Sequence, residues 1–261
     1  MTSLARTFGI ALTLISISVP LGAQRPSVAR EAQSFRDLSL TPDGTMLAWV
    51  GPRDPEDAPG LSMIGLAGGR ARRIGVPAVR GTERDLSWSP DGTRLALLAE
   101  SAGGRPALYV VTRATGVARR VAWLRGNTAG LRWSPDGRRI GFLNTERPTH
   151  PSGPLAPQAR DTGLIGRQFD IQRIAVVDLG TGAVRQVSRA DLYVHEFAWS
   201  PDGSRLVAAA APGPGDSGWY TDEIWTMDAN GAGARSLGAP GCRSPRPGGP
   251  PMEPGSRTWA A

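Results

Sequence analysis

The chain has 261 residues, 40% of them hydrophobic and 20% charged, with 34 Gly, 23 Pro, one Cys and two His. That apolar share supports a packed core and excludes a wholly disordered chain. The single Cys242 excludes an internal disulfide or a Cys-rich zinc site, and His150 and His195 leave little for metal-centred or His-dependent chemistry.

The net charge of +7 and a pI near 10.9 point first to a polyanion partner. All 30 basic residues are Arg, however, and Asn occurs only at 127, 144 and 230. This is the bias of GC-rich coding DNA, and the arginines are scattered rather than gathered into a phosphate-tracking stripe. Arg6 and a net +2 in residues 241–261 leave +4 for the rest, so nucleic acid is not an expected partner.

Residues 1–23 read as an export signal. Arg6 precedes an apolar run from Phe8 to Val19, and Pro20, Gly22 and Ala23 form a small-residue exit, with cleavage expected after Ala23. The run is short for a bilayer span, so a stable membrane span is not expected. The mature chain is expected to be periplasmic or secreted.

From Leu38 onward the chain repeats itself. LSLTPDGTMLAWVG, LSWSPDGTRLALLAE, LRWSPDGRRIGFLN and FAWSPDGSRLVAAAA begin at Leu38, Leu86, Leu131 and Phe197, and their Asp residues are Asp43, Asp91, Asp136 and Asp202. In each unit a short strand runs into a Pro-Asp-Gly turn. Pro presets φ, Asp caps the turn backbone and Gly takes the positive-φ position. An alternating strand follows, such as Arg94–Leu98. A third strand is expected at Ala107–Thr112, Ile171–Asp178 and Glu223–Asp228, and a fourth, after a Gly-containing turn, at Val117–Val121 and Ala183–Val187.

Four antiparallel strands per unit of roughly 45 residues is the pattern of a β-propeller blade. The expected class is all-β, with blades near 35–79, 83–125, 129–190 and 194–240. Trp88, Trp133 and Trp199 share one repeat position, and each is expected to fill the wedge between neighbouring blades. The four repeat Asp are read as turn residues; no ligand spacing supports calcium there. No catalytic, cofactor-binding or metal-binding residue is assigned. Residues 144–172 interrupt the third unit with a Pro- and Gly-rich excursion. Glu146, His150, Arg160, Asp161 and Arg167 are its candidates to face a ligand or protein partner.

The WSPDGxxLA repeat after an export signal resembles the TolB-like propeller repeat. That repeat occurs in TolB and in the N-terminal propellers of the prolyl oligopeptidase family of serine peptidases, which includes dipeptidyl and acylaminoacyl peptidases. The stretches DTGLIGRQFDIQRIAVVDLGTGAVRQVS and AAPGPGDSGWYTDEIWTMD favour the second group, and the resemblance covers about Ala32 to Ala239. It implies a propeller that filters peptide substrates for a C-terminal α/β-hydrolase carrying Ser, Asp and His, with no cofactor. This chain has no G-x-S-x-G elbow, so it is expected to be inactive alone. The runner-up is a TolB-like periplasmic binding or scaffold propeller.

After Pro240 the alternation stops. Residues 241–261 lack WSPDG, yet codons read one base early permit WSPDGTRIAYVGG, a fifth repeat with its Asp 49 or 50 residues after Asp202. The expectation is a partial fifth blade displaced by a frame slip. Four blades and part of a fifth cannot close a ring of six to eight, so poor solubility or association is expected.

Overall fold

The computed structural model describes residues 35–52, 59–79, 82–146, 170–213 and 221–238, all within the compact unit Gln33–Ala261. The expected export signal at 1–23 and the displaced repeat at 241–261 lie outside the described residues.

Sixteen strands form four separate four-stranded antiparallel sheets, and no α-helix occurs among the described residues. The first sheet holds β1 (Asp37–Leu40), β2 (Met46–Gly51), β3 (Gly60–Gly65) and β4 (Arg72–Arg73). The second holds β5 (Arg84–Trp88), β6 (Arg94–Glu100), β7 (Pro106–Thr112) and β8 (Ala118–Trp123). The third holds β9 (Asn127–Trp133), β10 (Arg139–Thr145), β11 (Arg173–Asp178) and β12 (Val184–Gln186). The fourth holds β13 (Leu192–Trp199), β14 (Arg205–Pro212), β15 (Glu223–Asp228) and β16 (Arg235–Gly238). Within every sheet the spatial order follows the chain order, a simple meander.

The third strands lie close to where the sequence places them. The one clear difference is β11, which starts at Arg173 rather than Ile171, because Gln172 leaves the ladder and its amide donates to the Val194 carbonyl at 2.8 Å, bridging two sheets. The hairpins are set by the Pro-Asp-Gly turns. Gly92 N–H donates to Ser89 O at 2.8 Å, with Gly92 at φ 66°. A side chain there would be held in the left-handed region, which explains why each repeat spends a glycine at this point.

The sheets stack in sequence order, and three apolar layers lie between them. Sheet one meets sheet two through Ala48, Val50, Leu61 and Met63 against Leu95, Leu97, Tyr109 and Val111. Sheet two meets sheet three through Ala96, Leu98 and Leu108 against Trp133, Ile140 and Phe142. Sheet three meets sheet four through Ile174 and Val176 against Phe197, Leu206, Ala208 and Met227. Strand β6 therefore sends Leu95 and Leu97 to one neighbour and Leu98 to the other, and all three are fully buried. That double burial corrects the alternation expected for Arg94–Leu98: β6 is buried on both faces because each packs on a neighbouring sheet. Each such leucine contributes about 1.5–3 kcal/mol of transfer free energy. The outer faces differ: Leu38 and Leu40 of β1 and Val207 of β14 are exposed.

Candidate functional site: the clasps between sheets and the rim of the fourth sheet

The residues with the most repeated geometry lie between sheets. Each Trp of the repeat donates its indole N–H to the first strand of the sheet before it: Trp88 to Ser39 O at 3.1 Å, Trp133 to Ser87 O at 2.8 Å, Trp199 to Arg132 O at 3.1 Å. The acceptors share one repeat position, directly before the Trp or its counterpart Leu40. An arginine two residues after the turn glycine completes the contact. Arg94 Nη2 donates to Gly137 O at 2.9 Å and its guanidinium lies over the Trp133 ring at 4.9 Å. Arg139 does the same one sheet further on, to Gly203 O at 2.8 Å and over Trp199 at 5.0 Å. Flat guanidinium on flat indole combines a cation–π contact with covered apolar area.

A carboxylate supplies a further grip. Asp37 Oδ2 accepts from Leu86 N at 2.8 Å, and Asp85 Oδ1 accepts from Gly130 N at 3.1 Å. Asp85 sits at a β-bulge with φ 55°, a conformation that Asp tolerates better than most residues.

The repeat Asp side chains are occupied inside their own turns. Asp91 Oδ1 accepts from Ser89 Oγ at 2.5 Å and Thr93 N at 3.0 Å, and Asp136 and Asp202 accept from Ser134 and Ser200 in the same way. Asp43 accepts from Thr41 Oγ1 at 2.5 Å, from Thr45, and from Arg113 of the second sheet. Hydroxyl and amide donors favour the charged form, so all four carboxyls are held below the usual range. For Asp202 the value falls to about 2, the Ser200 hydroxyl being the largest cause. Among the described residues, no group of three or more His, Cys, Asp or Glu is placed to hold a metal ion.

A second polar cluster lies where the third sheet opens into the long excursion. Asn144 Nδ2 donates to Arg125 O at 2.7 Å and Asn127 O at 3.1 Å, while Gln186 Nε2 donates to Asn144 Oδ1 at 2.7 Å and reaches Glu146 Oε1 at 3.4 Å. Arg173, where the chain returns, donates through Nε and Nη2 to Ser188 O. Burial lowers the Arg173 pKa, and Glu146 acts the other way; a guanidinium keeps its charge regardless. These bonds anchor both ends of the excursion. Of its candidates, Glu146 lies in this anchor, while His150, Arg160, Asp161 and Arg167 lie outside the described residues.

His195 has a partner that sequence reasoning missed, 27 residues away. Its Nδ1 is 2.9 Å from both carboxylate oxygens of Asp222. A carboxylate only accepts, so Nδ1 carries the proton. The Tyr193 ring packs on the imidazole, centroids 4.8 Å apart, and the His195 side chain is 7% exposed. A His–carboxylate pair also occurs in acyl-transfer triads. This one ties the irregular middle of β13 to the residue before β15, which is a structural use.

No family model matches the sequence, and no curated protein matches it. Solved structures do. A protein described as putative TolB from Agrobacterium tumefaciens is 19% identical, with a TM-score of 0.52 over 77% of this chain and 64% of that one. The Pyrococcus horikoshii acylaminoacyl peptidase is 16% identical, TM-score 0.54, over 78% of this chain and 32% of the other. The propeller domain of the Trilobed protease from Pyrococcus furiosus gives 14% and 0.51, over 78% and 57%. The fold is that of a TolB-like β-propeller.

Each four-stranded sheet is thus a blade, and the chain spans less than two thirds of each of these relatives. The Trp positions between blades follow from the sequence alone. The arginine clasp did not stand out, because Arg fills this chain for compositional reasons and the two that matter look like any others. Their signal was positional: Met46, Arg94, Arg139 and Arg205 occupy the same place in the four repeats.

Proposed function

We propose that this chain is the propeller portion of an exported serine peptidase of the prolyl oligopeptidase family. It gates peptide substrates and presents an interaction surface, while proteolysis belongs to a hydrolase domain of the intact parent. One observation carries the reading: four blades with one Trp clasp repeated between them, a fold shared with the acylaminoacyl peptidase and with the Trilobed protease propeller. The sequence resemblance around 161–188 and 210–228 supports the same group. The signal-like residues 1–23 support export to the periplasm or beyond.

In this reading the nucleophile, base and oxyanion donors belong to the hydrolase domain of the parent. The chain's contribution is a wall of blades, with residues of the 144–172 insertion as candidates to meet substrate or partner. Peptides are the substrate class of the parent. The test is turnover of fluorogenic aminoacyl and dipeptidyl amides by the purified chain. The expected result is none; hydrolysis abolished by a serine-directed inhibitor would overturn the assignment of catalysis to a separate domain.

A second reading is a TolB-like periplasmic binding propeller. It is favoured by the larger share of the Agrobacterium protein that the chain spans, compared with the acylaminoacyl peptidase. Stable capture of an envelope protein by the monomeric chain would select it.

A further inference from the structure

We propose that the arginine pair stacked on Trp123, at the outermost strand of the second blade, is a docking surface for an acidic peptide segment of a partner protein. This goes beyond the role given to the propeller above and holds for either parent.

Five guanidinium–indole contacts occur among the described residues. In three of them the guanidinium also donates to oxygen. Arg94 donates to Gly137 O, Arg139 to Gly203 O, and Arg189, over Trp225, to both carboxylate oxygens of Asp191. The other two share one ring: Arg105 lies 4.9 Å and Arg120 4.1 Å from the centroid of Trp123. Neither of these guanidiniums has a hydrogen-bond acceptor or a carboxylate partner among the described residues, and both residues are exposed. The ring contact restrains each planar fork, so further hydrogen bonds from it cost less side-chain entropy.

The charge around the ring has one sign. The arginines of this chain are scattered, but its acids are not: residues 101–135 hold six Arg and no Asp or Glu. Arg113 is paired with Asp43 of the first blade. Arg119 and Arg125, which bracket Trp123 in the chain, are exposed and have no ion pair among the described residues. Like charges gathered without an acid repel one another, and carboxylates delivered by a partner relieve that repulsion.

The surroundings favour a peptide over other anions. Guanidinium forks match carboxylates bidentately. Strand β8 is the outermost strand of its sheet, and at six residues it is the longest of the four outermost strands. Away from Val121, whose carbonyl lies against Gly182 of the third blade, its edge offers backbone donors and acceptors. An extended peptide uses such an edge, whereas a phosphate or a lipid surface has no need of one. Trp and Arg are also the side chains that dominate protein interfaces.

The probe is a fluorescently labelled peptide alternating Glu with Thr, titrated into the full chain and followed by anisotropy. The parent chain is expected to bind it, and Arg105→Gln with Arg120→Gln to weaken binding by about tenfold or more. Arg105→Lys with Arg120→Lys keeps the charge and loses the forks, and is expected to weaken binding by about threefold or more. Arg235→Gln removes an exposed arginine of β16 and is expected to change it little. Hydrogen exchange in residues 118–123 is expected to slow when the peptide binds. Circular dichroism confirms that each variant is folded, the substituted arginines all being exposed. No binding by the parent chain overturns the proposal. So does binding that the lysine variant keeps in full, that Arg235→Gln weakens as much as the paired substitution, or that leaves exchange in 118–123 unchanged. Displacement of the peptide by inorganic phosphate or by phosphatidylglycerol vesicles at lower concentration than by unlabelled peptide overturns it as well. No peptidase assay enters these outcomes, so they stand or fall apart from the assignment of catalysis.

Discussion

Arg94 and Trp133 belong to different blades and are held face to face, the guanidinium carbon 4.9 Å from the ring centroid, while the same arginine donates to Gly137 O and the same indole donates to Ser87 O. The pair closes the seam between blades two and three from both sides. Each partner also covers apolar area, Trp133 being buried within the layer between those blades.

Trp133→Ala removes ring area and a hydrogen bond together and is expected to destabilise by about 3–5 kcal/mol. Trp133→Phe keeps most of the area and loses the N–H, leaving Ser87 O without its donor, at about 1–2 kcal/mol. Urea denaturation of the two variants checks the order. Equal losses would show that the ring area contributes nothing beyond the N–H, and a Trp133→Phe variant as stable as the parent would show that the N–H contributes nothing.

Arg94→Ala is expected to cost about 1–2 kcal/mol through the lost ring contact and carbonyl bond. The double variant with Trp133→Ala is expected to fall short of the sum by about 0.5–1 kcal/mol, the coupling of the pair. Simple additivity in the cycle would remove the clasp from the account.

Two glycines with nearly the same φ separate strain from collision. Gly104 has φ 71° and open space where a Cβ would stand, whereas at Gly126, φ 69°, a Cβ would lie 1.9 Å from Thr145 O. Gly104→Ala is expected to cost about 1–2 kcal/mol of backbone strain. Gly126→Ala is expected to cost more than twice that, because backbone must move as well. Thermal melts of both variants check the ratio.

The turn carboxyls predict acid sensitivity with a definite sign. Their folded pKa values are lowered, by the hydroxyls of Thr41, Ser89, Ser134 and Ser200 first and by turn amides next. The stabilisation is therefore complete above the unfolded value of about 4 and lost as pH falls through the folded values, which for Asp202 is about 2. Melting temperature should be level from pH 7 to about 5 and fall between about 4 and 2. Asp202→Asn should lower it at pH 7 and flatten its share of the acid slope. A melting temperature that rises on acidification would contradict the assignment.

Much of the fold was legible because blades are local. Turn, strand and Trp lie within a dozen residues of one another, so period two and Pro-Asp-Gly specify each hairpin without distant information. What crosses between blades was less legible. The Gln172 bridge shortened β11, and the Asp85 grip depends on a bulge that pairs it with Gly130, 45 residues on. The His195–Asp222 pair had no sequence spacing to announce it. Trp was readable across blades because nothing else so large recurs at one position, while Arg was masked by its abundance.

The most direct test of the central claim, that this chain is the propeller portion of a serine peptidase, is the DNA sequence of its gene from the codons for residues 235–261 onward. The account predicts that a frame one base away encodes Trp-Ser-Pro-Asp-Gly in register with Asp202, then further blades, then a hydrolase with a G-x-S-x-G elbow. Third bases incompatible with that repeat, or no hydrolase in any downstream frame, would contradict it.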